Sequence, residues 1–393
     1  MRLAGVVATA ASAATMGLVG VAPAGAVSAH EPGMDNAFTR TNLVSNVTTL
    51  AAQLHDPHLA NPWGVAAGPG GPLWVSDNNG VNAPGGRNVT TVYTGAVKGS
   101  PVSPLLDVVI PGGRASTGDS SSPTGQVFNP TKGFTVTSSK GSGPADFIFD
   151  SESGQITAWN PTADPISPTG HSTAQLFFSS RTAVYKGLTE GRGPNGPDLF
   201  ATNFHDGTVD VFNSKFQKMT PTHGLFSFHD PSIPPGFAPF GIKRPPNGLP
   251  LLFVTYAKQD AAKHDDVAAP GAGFVDVYTT SGFLLAHFAR GGTLNAPWGI
   301  AFAPASFGPF GDDILIGNFG DGRINVFNLF GRFLGQLDNS MGQPITIDGL
   351  WALHFGNSAF GGNGSLIFTA GPNDENDGLL GVINPSTSRS PHR

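Results

Sequence analysis

Asn295 to Asn328 reads NAPWGIAFAPASFGPFGDDILIGNFGDGRINVFN. Three strand signals lie in it: Trp298-Gly299-Ile300-Ala301-Phe302, Asp313-Ile314-Leu315-Ile316-Gly317-Asn318 and Arg323-Ile324-Asn325-Val326-Phe327. The last is entered through Gly320-Asp321-Gly322. Asp-Gly between apolar runs signals a hairpin, because the favoured turns need positive φ. Three short antiparallel strands cannot bury their own faces. The pattern is stable only if it recurs.

It recurs six times, each time in three parts. The first part is an aromatic or Lys, then Gly or Ala, then an apolar residue. It occurs at Trp63-Gly64-Val65, Lys132-Gly133-Phe134, Lys186-Gly187-Leu188, Phe240-Gly241-Ile242, Trp298-Gly299-Ile300 and Trp351-Ala352-Leu353. The central residues are 69, 54, 54, 58 and 53 positions apart. The second part is an apolar strand ending at Asp77, Asp150, Asn203, Tyr256, Asn318 or Ala370. The third follows Gly86, Gly154, Gly207, Gly273, Gly322 or Gly378. A weaker fourth strand shows at Phe283–Phe288 and Phe333–Leu337.

A period near 54 suits a four-stranded propeller blade. The expectation is an all-β, six-bladed β-propeller with four-stranded antiparallel blades over residues 41–385. A β-sandwich explains neither the count nor the spacing. The sixth unit lacks a fourth strand, and Thr41–Val47 is a strand with no partner beside it. Pairing the two would close the ring and cover an exposed edge.

Composition agrees. The 393 residues include 54 Gly, 34 Pro and 29 Phe. Asp outnumbers Glu 23 to 4, and Asp favours turns. The net charge is -6 and no Lys/Arg cluster occurs, so nucleic acid is not an expected partner. There are no cysteines, so no disulfide holds the fold.

Arg2, the apolar run Leu3–Val21 and Ala24-Gly25-Ala26 read as an export signal over residues 1–26. The alternative is an anchor. Residues 27–40 read as a flexible lead and 386–393 as a tail. The expected product is an exported monomer without stable membrane insertion.

The repeat P-W-G-[VI]-A, a strand ending in Asp or Asn, then D-G-x-[VI]-x-V-[FY] resembles the NHL-repeat type of six-bladed propeller. The segments NPWGVA from Asn61, PTGQVFNPTKGF from Pro123, YKGLTE from Tyr185, TYAKQD from Thr255, DDVAAPGAGFVDV from Asp265, APWGIAF from Ala296 and TAGPNDENDGLLG from Thr369 are similar to a family of secreted bacterial proteins with no assigned function. The resemblance spans about residues 40–385 and supplies no catalytic residue. More distant NHL-like propellers include streptogramin lyases, gluconolactonase-like hydrolases and strictosidine-synthase-like proteins. Fold alone does not choose among these activities.

In such blades the loops between strands two and three share one face. That places Asp77, Asp150, Asn203, Tyr256 and Asn318 at a channel mouth. Converging oxygens suit a hard cation, Ca²⁺ or Mg²⁺, with Asp77 and Asp150 as the metal candidates. The bland alternative is that they cap strand ends. The loop Asp260–Asp266, with His264 and Asp265, and the loop Asn373–Asp377, with Asp374 and Glu375, add acids on the same face. Neither has EF-hand spacing.

No H-E-x-x-H or G-x-S-x-G pattern occurs. A lyase reading would need a His pair, and His205 with His264 is the candidate. Trp63, Phe240, Trp298 and Trp351 hold equivalent positions, where they serve either as core or as a stacking ring. A quinone-cofactor propeller would carry Trp in each blade. The five here, at 63, 74, 159, 298 and 351, leave units three and four without one. The expected role is binding of a small molecule, or of an extracellular protein or glycan, through one face. The enzymatic alternative is a metal-assisted lyase or lactonase-type hydrolase.

Overall fold

The computed structural model describes residues 36–78, 88–112, 121–194, 196–222 and 224–386. The export signal, the end of the tail, and Gly86 with Arg87 lie outside them. Six sheets follow one another along the chain as blades. Their innermost strands are Pro62–Ala67, Pro123–Phe128, Tyr185–Gly193, Phe237–Lys243, Pro297–Phe302 and Leu350–Phe355. Within each blade, consecutive strands pair antiparallel. Blades two, four and five each carry four antiparallel strands from inside out, and blade one adds to its four a short outer strand, His171–Thr173, parallel to the fourth. In blade three Lys218 bridges Phe212 in place of a regular fourth strand.

The ring closes through the N-terminal strand. Phe38–Ser45 pairs antiparallel with Leu379–Pro385, from Phe38 opposite Pro385 to Ser45 opposite Leu379. Pairing begins at Phe38, three residues before the expected strand. Phe38 is 1% exposed and packs on Phe307 and Phe310 at ring-centre distances of 5.1 and 6.0 Å. It ties the first strand into the interface of blades five and six.

One unit lies elsewhere than the repeat suggests. The inner strand of blade two is Pro123–Phe128, with Gly125 at the repeated position, not Lys132-Gly133-Phe134. The glycine spacing becomes 61 and 62 instead of 69 and 54. Lys132 and Gly133 lie in the turn beyond that strand, before an added hairpin, Thr135–Ser138 with Gly141–Pro144. Thr124 stands where the other blades carry an aromatic or Lys, which hides the unit. Its hydroxyl bonds Asp150 Oδ1 at 2.9 Å and the Tyr185 carbonyl at 2.8 Å. Ser103–Val109 is the fourth strand of blade one.

The repeated glycine has a packing reason. A Cβ on Gly64 would lie 2.4 Å from Thr124 O, on Gly125 2.3 Å from Leu188 N, and on Gly241 2.1 Å from Trp298 O. Each contact is to backbone of the next blade. Adjacent inner strands therefore meet backbone to backbone around the axis. Threonines lock the contact: Thr202 Oγ1 donates to Phe240 O at 2.7 Å, and Thr369 Oγ1 to Trp63 O at 2.6 Å. Outside this ring, apolar clusters fill the spaces between blades, as where Trp74 of blade one stacks on Phe147 of blade two at 4.0 Å.

Candidate functional site

The first residues of the inner strands converge on the axis. Trp63 of blade one meets Trp298 of blade five at 6.0 Å, and Phe240 of blade four meets Trp351 of blade six at 5.9 Å. Neither pair comes from neighbouring blades, so both contacts cross the channel. Trp63 also stacks on Trp351, and Phe319 on Trp351. All four repeated aromatics are 8% exposed or less. They are core, as one alternative held, and they plug the channel. The Trp63 indole N–H is buried with no partner among the described residues.

Above the plug the strand two–three loops place charge. Blade three carries Lys186 where blades one, four, five and six carry Trp or Phe. Its side chain is 1% exposed, and its ammonium lies 4.9 Å from the Trp63 ring centre and 5.9 Å from that of Phe204. It pairs with Glu152 of blade two and reaches Asp265 of blade four at 3.4 Å. Trp298 Nε1 donates to the Lys186 carbonyl at 2.9 Å. Asn78 Nδ2 donates to Glu152 Oε2 at 2.9 Å. Asn61 Nδ2 donates to Glu375 Oε2 of blade six at 2.7 Å, and Asn61 Oδ1 accepts from Trp351 Nε1 at 3.2 Å. Every blade thus supplies a group to the mouth.

Glu375 is presented by backbone that few side chains adopt. Asn373, Asp374 and Glu375 have φ of 60°, 51° and 62°. Three successive non-glycine residues in the left-handed region store strain, and such strain gathers at functional sites.

The charges tune one another. Burial alone would lower the Lys186 pKa, but Glu152 and Asp265 outweigh it and hold it above the ordinary value. The amine is therefore an ammonium, not a nucleophile. The His264 hydrogen bond pulls Asp265 down to about 2, and the same bond raises His264. Burial pushes Asp266 up to about 7 and raises Glu375. Asp266 Oδ2 is buried without a partner among the described residues. The mouth holds Glu152, Asp265, Asp266 and Glu375 against one lysine.

Glu152, His264 and Asp265 each offer a ligand atom within 4.8 Å of the others. A second such group, Asp230, Asp276 and His287, lies at the outer part of blade four. There Arg290 pairs with Asp230 at 2.5 Å. In both groups a basic side chain already sits against the acids.

The remaining expected residues are distributed as follows. Asp77 is buried and accepts from Thr91 N at 3.1 Å. Asp150 is buried and accepts from Gly125 N at 2.6 Å and from Thr124. Neither belongs to a three-ligand group among the described residues. Asn203 binds Asp206 and Asp210, and Asn318 binds Asp321 and Thr293 O, both tying turns. Tyr256 turns into the core, its hydroxyl 2.7 Å from that of Tyr278. His205 bonds Asp206 at 2.9 Å, whereas His264 bonds Asp265. Asp260 caps its own loop through His264 N at 2.8 Å. Asp374 is exposed, and Asp377 accepts from Asn61 N at 3.2 Å through its carbonyl. Sequence reasoning missed Glu152, Asn61 and Asn78. It recorded Lys186 only as a variant of the aromatic position.

Two mimivirus proteins are similar to this chain. Protein R648 of Acanthamoeba polyphaga mimivirus is 30% identical over 87% of the chain and 78% of its own length. Protein L690 of the same virus is 30% identical over 87% of the chain and 84% of its own. The chain belongs to their family. R648 and L690 are both named as uncharacterised proteins, so membership in the R648 and L690 family carries no activity with it, and these viral relatives do not carry the expected bacterial origin. No family model matches the chain.

Among solved structures, an α-L-arabinofuranosidase of Fusarium graminearum aligns with a TM-score of 0.50 at 9% identity, over 89% of this chain and 98% of its own. A gluconolactonase of Xanthomonas campestris aligns with a TM-score of 0.46 at 14% identity, over 83% and 86%. A virginiamycin B lyase of Staphylococcus aureus aligns with a TM-score of 0.41 at 13% identity, over 88% and 98%. Such identities speak to the fold alone. No helix among the described residues is long and apolar enough to cross a membrane.

Proposed function

We propose that this chain is an exported propeller that binds a small cationic ligand at the acidic mouth of its channel. One observation carries the reading: Glu152, Asp265, Asp266 and Glu375, from blades two, four and six, gather around a single buried lysine over an aromatic floor. The surplus of carboxylates raises the local cation concentration. An incoming cation favours the charged forms of Asp266 and Glu375, whose pKa values burial raises. The ligand is a divalent ion such as Ca²⁺ or Mg²⁺, or an amine carried by a small molecule, peptide or glycan.

Melting curves in EDTA, in millimolar Ca²⁺ or Mg²⁺, and in a polyamine such as spermidine test it. A bound cation stabilises by about 2.7 kcal/mol at a hundredfold excess over its dissociation constant. The gain should vanish in Asp266→Asn/Glu375→Gln. Coincident curves under all conditions would remove the reading.

A second reading rests on the Glu152, His264 and Asp265 group, whose spacing could hold a metal. The protein would then be a metal-assisted lyase or lactonase-type hydrolase. Metal-dependent turnover of lactones or cyclic depsipeptides, lost in His264→Ala and kept in His205→Ala, would favour it over simple binding.

A further inference from the structure

Asp230, Asp276 and His287 form a group of their own at the outer part of blade four. Asp276 lies on the third strand, Phe274–Thr279, and His287 with Arg290 on the fourth, Leu284–Arg290. In a regular strand, residues three apart face opposite ways. Here the register shifts: Asp276 stands opposite His287 and Val275 opposite Ala289, so Phe288 is an extra residue that turns into the core. That bulge brings His287 and Arg290 to one face. Asp230, from the segment ahead of the blade, completes the group. The Asp230 and Asp276 side chains are 1% and 0% exposed. Asp230 Oδ1 accepts from Ser232 N at 2.8 Å and from Ser232 Oγ at 2.7 Å, the hydroxyl also lying 2.9 Å from Oδ2. Asp276 Oδ2 accepts from the Tyr278 hydroxyl at 3.5 Å. The other oxygens, Asp230 Oδ2 and Asp276 Oδ1, face His287 Nδ1 at 3.2 and 3.3 Å.

Ligand atoms bonded tetrahedrally to Zn²⁺ at 2.0–2.1 Å stand about 3.3 Å from one another. The two distances from His287 Nδ1 have that length. Each carboxylate is steadied through one oxygen and presents the other, as metal-binding carboxylates do. Arg290 marks the centre of the group. Its Nη2 lies 2.5 Å from Asp230 Oδ2 and 3.5 Å from Asp276 Oδ1, and it touches His287 Nδ1. Arginine only donates, so Nδ1 meets it with the lone pair that a metal ion needs. One amino group with two N–H bonds faces three acceptors, and one positive charge faces two buried carboxylates. A divalent ion answers all three atoms and both charges. We propose that Asp230 Oδ2, Asp276 Oδ1 and His287 Nδ1 form a transition-metal site, for Zn²⁺ foremost, in which Arg290 is the stand-in cation that the metal displaces. One imidazole with two carboxylates suits Zn²⁺ better than Ca²⁺. Arg290 has a place to withdraw to, since its guanidinium carbon lies 5.4 Å from the Phe274 ring centre. The site shares no residue with the acidic mouth.

The test uses the full chain, stripped of metal and carrying His264→Ala, which removes the Glu152, His264 and Asp265 group. Calorimetric titration with Zn²⁺ should find one ion bound per chain, and Co²⁺ in its place should show the visible absorption of a tetrahedral centre. His287→Ala should weaken binding by at least about tenfold. Arg290→Met should tighten it, by on the order of tenfold, because the competing cation is gone. A salt bridge with no metal role predicts no Zn²⁺ binding at all. Should Arg290→Met fail to fold, His287→Ala, at a half-exposed position, decides alone. Absent Zn²⁺ binding, binding left intact by His287→Ala, or binding weakened by Arg290→Met would each overturn the proposal.

Discussion

The Lys186 ammonium lies 4.9 Å from the centre of the Trp63 ring. The two residues come from blades three and one and hold the same place in the repeat. A lysine in an aromatic register has become the hub of the mouth. Its charge is matched by Glu152 and Asp265 and seated on ring faces, an arrangement that contributes about 2 kcal/mol when desolvated. The plug and the polar mouth are therefore one structure, and a ligand above would be felt by the aromatic axis below.

Replacing Lys186 by Met leaves the half-buried Glu152 without its counter-charge. Breaking a buried pair from one side costs about 3–5 kcal/mol. Chemical denaturation should show that loss for Lys186→Met. Lys186→Met/Glu152→Gln should recover much of it, since the orphaned charge is gone. Additive losses in the double variant would mean that the two side chains do not act as a pair.

Gly241→Ala tests the axial packing. The added Cβ would stand 2.1 Å from Trp298 O, a backbone atom that cannot swing away. Overpacking of this kind costs about 1–3 kcal/mol, occasionally more. Ala352 already fills the equivalent place in blade six. Ala352→Gly should therefore change stability by less than Gly241→Ala does, and equal losses would show that the glycine repeat has another cause.

Much of the architecture was legible because its causes are local. Turn glycines, alternating apolar strands and the inner-strand glycine each leave a mark in sequence, and together they gave the sixfold count and the closing strand. The misplaced second unit shows the limit. Thr124 replaces an aromatic there, and nearby Lys132-Gly133 imitates the motif. The mouth was half legible. Asp265, Asp266 and Glu375 sit in loops that composition flags. Glu152 is a single acid in a turn, and its role depends on Lys186, 34 residues away. Asp77, Asp150 and Tyr256 share a sequence position but not their partners, which are Thr91 N, Thr124 with Gly125 N, and the Tyr278 hydroxyl.

Ring closure predicts the effect of Phe38→Ala. The side chain is 1% exposed and packs on Phe307 and Phe310. Truncation of a buried Phe costs about 3–5 kcal/mol. Thr39→Ala, an exposed position on the same strand, should cost little. Deletion of residues 27–48 should leave insoluble or strongly destabilised protein. A deletion variant that melts like the full chain would show that the ring does not need its first strand.

Asp150 gives the pH prediction. Burial raises its pKa to about 7, against the smaller opposing effect of its bonds from Thr124 and Gly125. The unfolded carboxyl titrates near 3.8. Between these values the folded state holds a proton that the unfolded chain has lost. Stability then falls as pH rises from about 4 to about 7, and levels off above. Asp266, also raised to about 7, acts in the same direction. Urea denaturation at pH 5 and pH 8 should find the protein less stable at pH 8. Asp150→Asn keeps an acceptor for Thr124 and Gly125 but carries no charge, so it should flatten the difference. A variant whose stability still falls as steeply between pH 5 and pH 8 would place the titrating group elsewhere, and Asp266→Asn would then be the next residue to test.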